Sequence, residues 1–504
     1  MAAYDNYNHF DVVIIGAGIA GLTCGALLSK AGRKVAIIEK NDHVGGYCSS
    51  LQEGGFTFDL VSILFGCMQG KVHNVLKKLD LDNSIKFSRI RSYLTIYSEN
   101  GKPVTLSPEL NETLRELIDM FPKEKEGIEK LVAVMEEIYT ALFISSDRLP
   151  TTVELLSSRS IRSYASSTYR KLLDDHISNA RLKFLLSAIA ASFGGMSADA
   201  VSALYMANVI MTFFKEGGFL PTGGMHLFSE SLAEAFVSSR GTLMTGKGVE
   251  KIRFENSVNT VESILLSDGT SIKTSCVVSN ADLIQTLSSL VPEEAVPGEY
   301  VRKIKNMKPS PSAFILNLGV DMDLSGIPLS HHVLLTSKDD PDMFAMKIRG
   351  MTKGKFDNWI MHIPTLTDAT LAPKGTHILS LMSLPDINAS ADWNQTGTQC
   401  AQTMMRQLER LIPGISARVV HRSFLTPCDI ERLAGNYNGA CYGWAHTPDQ
   451  FGIKRPLQKT PIEGLFLAGH WTMPGGGVTA AMLSGMMAQR YVEEYLKLKS
   501  GVKI

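Results

Sequence analysis

The residues with the clearest chemical purpose stand near the start of the chain. Gly16-Ala17-Gly18-Ile19-Ala20-Gly21 follows a mostly apolar run, Asp11–Ile15, and opens a stretch with helical spacing. Glu39 closes the next β-branched run, Val35–Ile38, with Lys40 beside it. A strand, a glycine turn, a helix and a second strand ending in an acid make one dinucleotide-binding unit. Gly16 permits the tight turn. Gly18 lets the backbone approach a pyrophosphate at the helix N-terminus, where Ile19 and Ala20 begin the helix. Gly21 lets helix and strand pack closely, and Glu39 can accept hydrogen bonds from ribose hydroxyls.

The next glycine pair, Gly45-Gly46, is followed by Tyr47-Cys48 and then by Gly55-Phe56-Thr57-Phe58-Asp59. Over these residues the chain resembles the phytoene desaturase and carotenoid isomerase family of FAD-dependent oxidoreductases, in the flavin amine oxidase superfamily. Gly217-Gly218-Phe219-Leu220-Pro221-Thr222-Gly223-Gly224 is similar to the family's return into its FAD domain. Val249, within Gly248–Ile252, looks like its adenine-contacting strand, and Asn280, within Val277–Asp282, like its next strand end. The block Ala468-Gly469-His470-Trp471 through Pro474-Gly475-Gly476-Gly477-Val478-Thr479 closes the series in the family's order. Backbone N–H groups of Val478 and Thr479 could stabilise charge on the reduced flavin.

What the resemblance implies is FAD, held non-covalently, since the C-terminal block contains no cysteine. It implies hydride transfer between a carbon of a hydrophobic, polyene or isoprenoid-like substrate and flavin N5. Alternatives on the same fold stay open: a flavin amine or amino-acid oxidase, with Lys308 close to the strand Ser310–Leu316, a non-redox isomerase using reduced FAD, or a silent flavoprotein scaffold. A second Gly-x-Gly-x-x-Gly is missing from the middle of the chain, so electrons are expected to pass to dioxygen, a quinone or another external acceptor rather than to NAD(P).

His470 and Trp471 adjoin the expected flavin and are the candidates for a substrate-facing role. His43 and His226 adjoin phosphate-side turns and read as structural. His331-His332 reads as a solvated strand end rather than a metal pair, since no third ligand has suitable spacing, and no metal is expected. Cys48 reads as a buried inert thiol.

These residues need a scaffold of some size, and 504 residues with 44% hydrophobic content supply it. Lys+Arg and Asp+Glu both total 50, so no broad electrostatic footprint for nucleic acid exists. The 7 cysteines form no CxxC pair, which fits a reducing compartment. The first ten residues do not read as a signal peptide, and no apolar run is long enough to span a membrane. The expectation is cytoplasmic, with peripheral membrane contact allowed by Ala198–Phe214. That almost continuously apolar stretch must pack in the core, line a cavity or lie against lipid.

The periodicity predicts an α/β protein with a discontinuous Rossmann-type FAD-binding domain and an inserted α+β substrate domain. The FAD domain is expected in parts at 1–69, 221–299 and 456–504. Residues 70–220 are expected to be mainly helical, and 300–455 to hold the sheet of the substrate domain. A strand is expected at Ile272–Val278.

Overall fold

The computed structural model describes residues 9–61, 65–66, 70–98, 102–142, 151–255, 260–336 and 358–501. Cys67, counted above among the thiols, lies outside them.

The fold is mixed α/β. Its central sheet is parallel, with strands in the order Thr242–Met244, Val35–Ile38, Val12–Ile15, Val277–Ser279 and Leu465–Leu467. The inner strands are short apolar runs buried along their whole length. That is the composition required of a parallel sheet covered on both faces. One face carries the helices Ile19–Lys30, Met225–Ser238 and Val478–Lys499. The first and last of these meet closely: a Cβ on Gly485 would lie 2.3 Å from the Ala20 carbonyl oxygen. The other face packs on an antiparallel layer, Val249–Phe254, Val261–Leu266 and Ser271–Lys273.

The expected strand Ile272–Val278 is two strands in two sheets. Thr274 Oγ1 accepts from Cys276 N at 3.3 Å, which takes that N–H out of the ladder and ends the first strand at Lys273.

The second sheet runs Val419–Leu425, Phe314–Val320, His377–Ser383, Asn358–His362, His332–Thr336, Leu94–Ser98 and Val104–Leu106. Its pairs are antiparallel except Leu94–Ser98 with His332–Thr336. The stretch expected to be mainly helical therefore gives this sheet two strands. A short alternating run such as Leu94–Ser98 carries too little periodicity to be read without its partner. Helix Trp393–Leu411 covers one face. The helices Leu110–Met120, Lys125–Leu142, Ala180–Gly194 and Ala203–Glu216 build a separate apolar layer. The helical signal over 161–191 is cut at Thr168 and Asn179, whose side chains accept from Lys171 N and Leu182 N as N-caps.

Among the described residues no helix is long and apolar enough to cross a membrane.

Candidate active site

The first glycine turn is tied down from two sides. Gly16 has φ +96°, and its N–H donates to the Ile38 carbonyl at 2.8 Å. Glu39 is buried. Its Oε2 accepts from Ala17 N at 2.8 Å and its Oε1 from Asn41 N at 2.9 Å. Gly45 N donates to the Ala17 carbonyl at 2.8 Å, which draws the second glycine pair against the first turn. Asn280 fills the space between the turn and the last strand. A Cβ on Gly18 would lie 2.8 Å from its Nδ2, and one on Gly469 would lie 2.7 Å from its Oδ1.

These groups border one cavity of about 730 Å³. Its wall includes Gly16, Gly18, Ile19, Ala20, Glu39, Lys40, Gly45, Gly46, Tyr47, Val249, Asn280, Gly469, His470, Gly477, Val478 and Thr479. Gly21 stands behind the wall, where its missing Cβ leaves room for the Gly16 carbonyl oxygen at 2.2 Å. Two helices begin at this wall. Neither Gly18 nor Gly477 caps its helix with a side chain. Their first-turn N–H groups and positive dipole ends therefore converge on the cavity, the arrangement that favours anions. Gly477 has φ +97°, and a Cβ added there would meet no protein atom within 4 Å, so that part of the cradle is open. The described residues thus fit an FAD: an acid for ribose, dipole ends for phosphate and a concave backbone for a flat ring.

The cavity continues into an apolar end lined by Leu142, Leu204, Val209, Thr212 and Phe213. Helix Ala203–Glu216, which takes up most of the stretch Ala198–Phe214, buries Met206, Ala207 and Met211 in the core and turns another face to the cavity. Tyr205 lines the wall with its ring stacked on His446, centroids 3.8 Å apart.

His470 and Trp471 part company. His470 faces the cavity, and its Nε2 donates to Asn436 Oδ1 at 3.0 Å. Burial and the nearby Arg455 guanidinium push its pKa down to about 3, so the imidazole is neutral. Trp471 is not part of the wall. Its indole is buried against Trp444, centroids 4.7 Å apart, and its Nε1 donates to the same Asn436 oxygen at 2.8 Å. The placement of Trp471 does not support a substrate-facing role: both residues lie in the turn that follows Leu465–Leu467, and of the two only His470 borders the cavity. Sequence reasoning missed Asn436, which meets His470 and Trp471, and Tyr442, which also lines the cavity, and nothing local marks either.

Arg455 is fully buried and donates to the His470 carbonyl at 3.0 Å and to the Trp444 carbonyl. Desolvation lowers its pKa to about 9. Lys308, the residue that kept an amine oxidase open, is exposed and lies outside the cavity wall. Cys48 is buried, as read. His43 is exposed and pairs with Asp42, and His226 Nδ1 lies 3.0 Å from Ser50 Oγ.

His331 and His332 are not a solvated strand end. Both are buried, and His362 stands directly opposite His332 in the antiparallel register. The third imidazole missing from the local spacing comes from the neighbouring strand.

The family model for flavin containing amine oxidoreductases matches residues 19–492. The chain is 26% identical to the chloroplastic prolycopene isomerase of Daucus carota, over 97% of this chain and 81% of that one. It is 25% identical to the lycopene-forming phytoene desaturase of Pseudescherichia vulneris, over 94% and 96%. Among solved structures, an oxidoreductase from Methanosarcina mazei superposes with TM-score 0.66 at 20% identity, covering 95% of this chain and 99% of that one. The cyclohexylamine oxidase of Brevibacterium oxydans superposes with TM-score 0.66 at 16% identity, covering 97% and 99%.

Proposed function

The chain belongs to the flavin containing amine oxidoreductase family and is an FAD-dependent oxidoreductase, and from that premise we propose that it dehydrogenates an apolar, polyene-like small molecule. The observation that carries this reading is the continuity of one cavity from the glycine turns to the apolar end beside Leu204, Val209 and Phe213. FAD, when bound, supplies the acceptor for hydride leaving a substrate carbon.

The chain's own residues do the rest. Glu39 receives the adenosine ribose, and the helix start at Gly18 receives the pyrophosphate. The helix start at Val478 and Thr479 favours negative charge at the other end of the cofactor. Leu142, Leu204, Val209 and Phe213 exclude water and hold the substrate by burial of its apolar surface. His470, neutral and fixed by Asn436, positions without exchanging a proton. The names of the carotenoid-acting relatives support the same substrate class.

An amine substrate is disfavoured by charge. The carboxylates on the wall, Glu39 and Asp282, belong to the nucleotide end, and both are occupied by backbone N–H groups. Among the described residues the apolar end offers an ammonium group no carboxylate. The external acceptor is dioxygen, a quinone or another oxidant, and access of the apolar substrate from a membrane surface or a carrier belongs to the same reading.

The test is anaerobic mixing of the yellow protein with acyclic polyenes, with primary amines and with fatty acyl compounds. Bleaching of the flavin band by a polyene is the expected result. Bleaching by amines alone refutes the reading. Geometric isomerisation of a polyene that requires prior flavin reduction, without net turnover of electrons, replaces dehydrogenation with isomerisation.

A further inference from the structure

The three histidines on the second sheet form a group that hydride transfer does not use. His332 and His362 face each other across the ladder between His332–Thr336 and Asn358–His362. Their ring centroids are 4.4 Å apart, and the His331 ring lies 4.6 Å from that of His332. All three are 2% exposed. One ring nitrogen from each residue can be chosen so that the set lies within 4.8 Å, and no other such group occurs among the described residues.

A second observation points to a ligand. Among the described residues neither ring nitrogen of the buried His362 has a hydrogen-bond partner. An imidazole so placed normally costs stability unless something occupies it. The surroundings also suit ligation. Thr367 Oγ1 lies 3.3 Å from His331 Nδ1, and a polar partner on one ring nitrogen is the usual outer-shell arrangement for a metal-bound histidine.

We propose that His331, His332 and His362 bind a divalent late first-row transition-metal ion, of the zinc class, at the wall of the cavity. Three nitrogen donors without carboxylate or thiolate select such an ion over magnesium or calcium. A tetrahedral ion about 2.0 Å from each nitrogen sets its donors about 3.3 Å apart, so the rings need only a small inward turn. Three protein ligands leave one coordination position open. His332 lines the cavity, so an ion on its ring would border the cavity, and the open position would take water or an oxygen of a bound molecule. The carbonyl oxygen of Tyr93 accepts from His332 N at 3.2 Å, and the Tyr93 ring meets Phe213 edge-on at 5.5 Å. The ion therefore sits by the apolar end, and it discriminates for substrates or products bearing an oxygen there.

The test uses the whole FAD-loaded protein, dialysed against a chelator and titrated with zinc chloride by calorimetry and with cobalt chloride by absorption. Expected are one tight equivalent of zinc and tetrahedral cobalt bands beyond the flavin absorption. His362→Gln and His331→Gln should each weaken zinc binding about 100-fold or more. Flavin content and melting temperature are read for each variant, and His331→Gln, at the strand edge, serves if His362→Gln does not fold. His226→Gln, outside the cluster, should bind zinc as the wild type does. The proposal is overturned if the wild type takes up no zinc, if cobalt gives only octahedral bands, or if a folded cluster variant binds zinc as tightly as the wild type. None of these readouts depends on the substrate reaction.

Discussion

Glu39→Ala separates what the carboxylate does for the fold from what it does for the cofactor. Glu39 is 7% exposed, and its two oxygens hold Ala17 N and Asn41 N at 2.8 and 2.9 Å. Alanine removes both acceptors. The Asn41 N–H is only half-buried and can return to water, whereas the Ala17 N–H is left buried in the turn. A hydrogen bond to a charged group is worth about 1.5–3 kcal/mol, so the flavin-free chain should lose about 3 kcal/mol of stability. Lone pairs not used by the backbone remain for the ribose hydroxyls. Losing those contacts should weaken FAD by about 2–4 kcal/mol, or about 30- to 700-fold in Kd. Glu39→Gln keeps one carbonyl acceptor and should fall between. The assay is urea unfolding of the flavin-free proteins, followed by FAD titration read by quenching of flavin fluorescence. A Glu39→Ala protein whose stability and FAD affinity both stay within about 0.6 kcal/mol of the wild type, close to a threefold change, refutes the reasoning.

Further predictions concern the other end of the site. Gly477→Ala puts a Cβ at φ +97° into open cavity; strain of about 1–2 kcal/mol and reduced flavin occupancy at purification are expected, and full occupancy would contradict the cradle. His470 has a folded pKa of about 3 against 6.5 for the free side chain. The unfolded chain therefore binds a proton that the folded chain does not. Its contribution is intact above pH 6.5 and falls as pH drops from 6.5 toward 3. Asp59, raised to about 6 by burial, acts in the opposite sense, so the readout is a difference: His470→Gln should gain on the wild type by up to about 1.4 kcal/mol per pH unit below 6.5. A difference that does not change with pH refutes it. Acid precipitation should release all of the flavin into the supernatant; colour retained in the pellet would show a covalent link.

The parts of this site that a reader of the sequence can find are those with local causes. A turn that needs φ +96° at Gly16, a carboxylate at the end of the next strand, and a helix opened by Gly477 are each specified within a few residues. Asn436 is different. Its value lies in meeting His470 and Trp471 from a loop 34 and 35 positions away in sequence, and nothing in Gly435-Asn436-Tyr437 announces it. The histidine cluster fails for the same reason. His331-His332 looks like an incomplete motif until the register between two strands sets His362 opposite, and register is a tertiary property. Trp471 is next to His470 in sequence, but in the turn they share only His470 borders the cavity, and the Trp471 indole packs on Trp444 from a separate loop, a contact that local sequence does not announce.

The strand order of the central sheet also sets a timetable for synthesis. Val12–Ile15 leaves the ribosome well before its neighbour Val277–Ser279, and longer still before the edge strand Leu465–Leu467. At 5–20 residues per second, the roughly 450 residues between the first glycine turn and Gly477 take about 20–90 s to make. Through that interval the nascent chain holds half a nucleotide cradle, with Ala20 and its neighbours on helix Ile19–Lys30 uncovered where Gly485 will later pack. Tight capture of flavin thus waits until Leu465–Leu467 and the helix start at Val478 have been made, and until then the growing polypeptide depends on whatever shields that helix face from other chains.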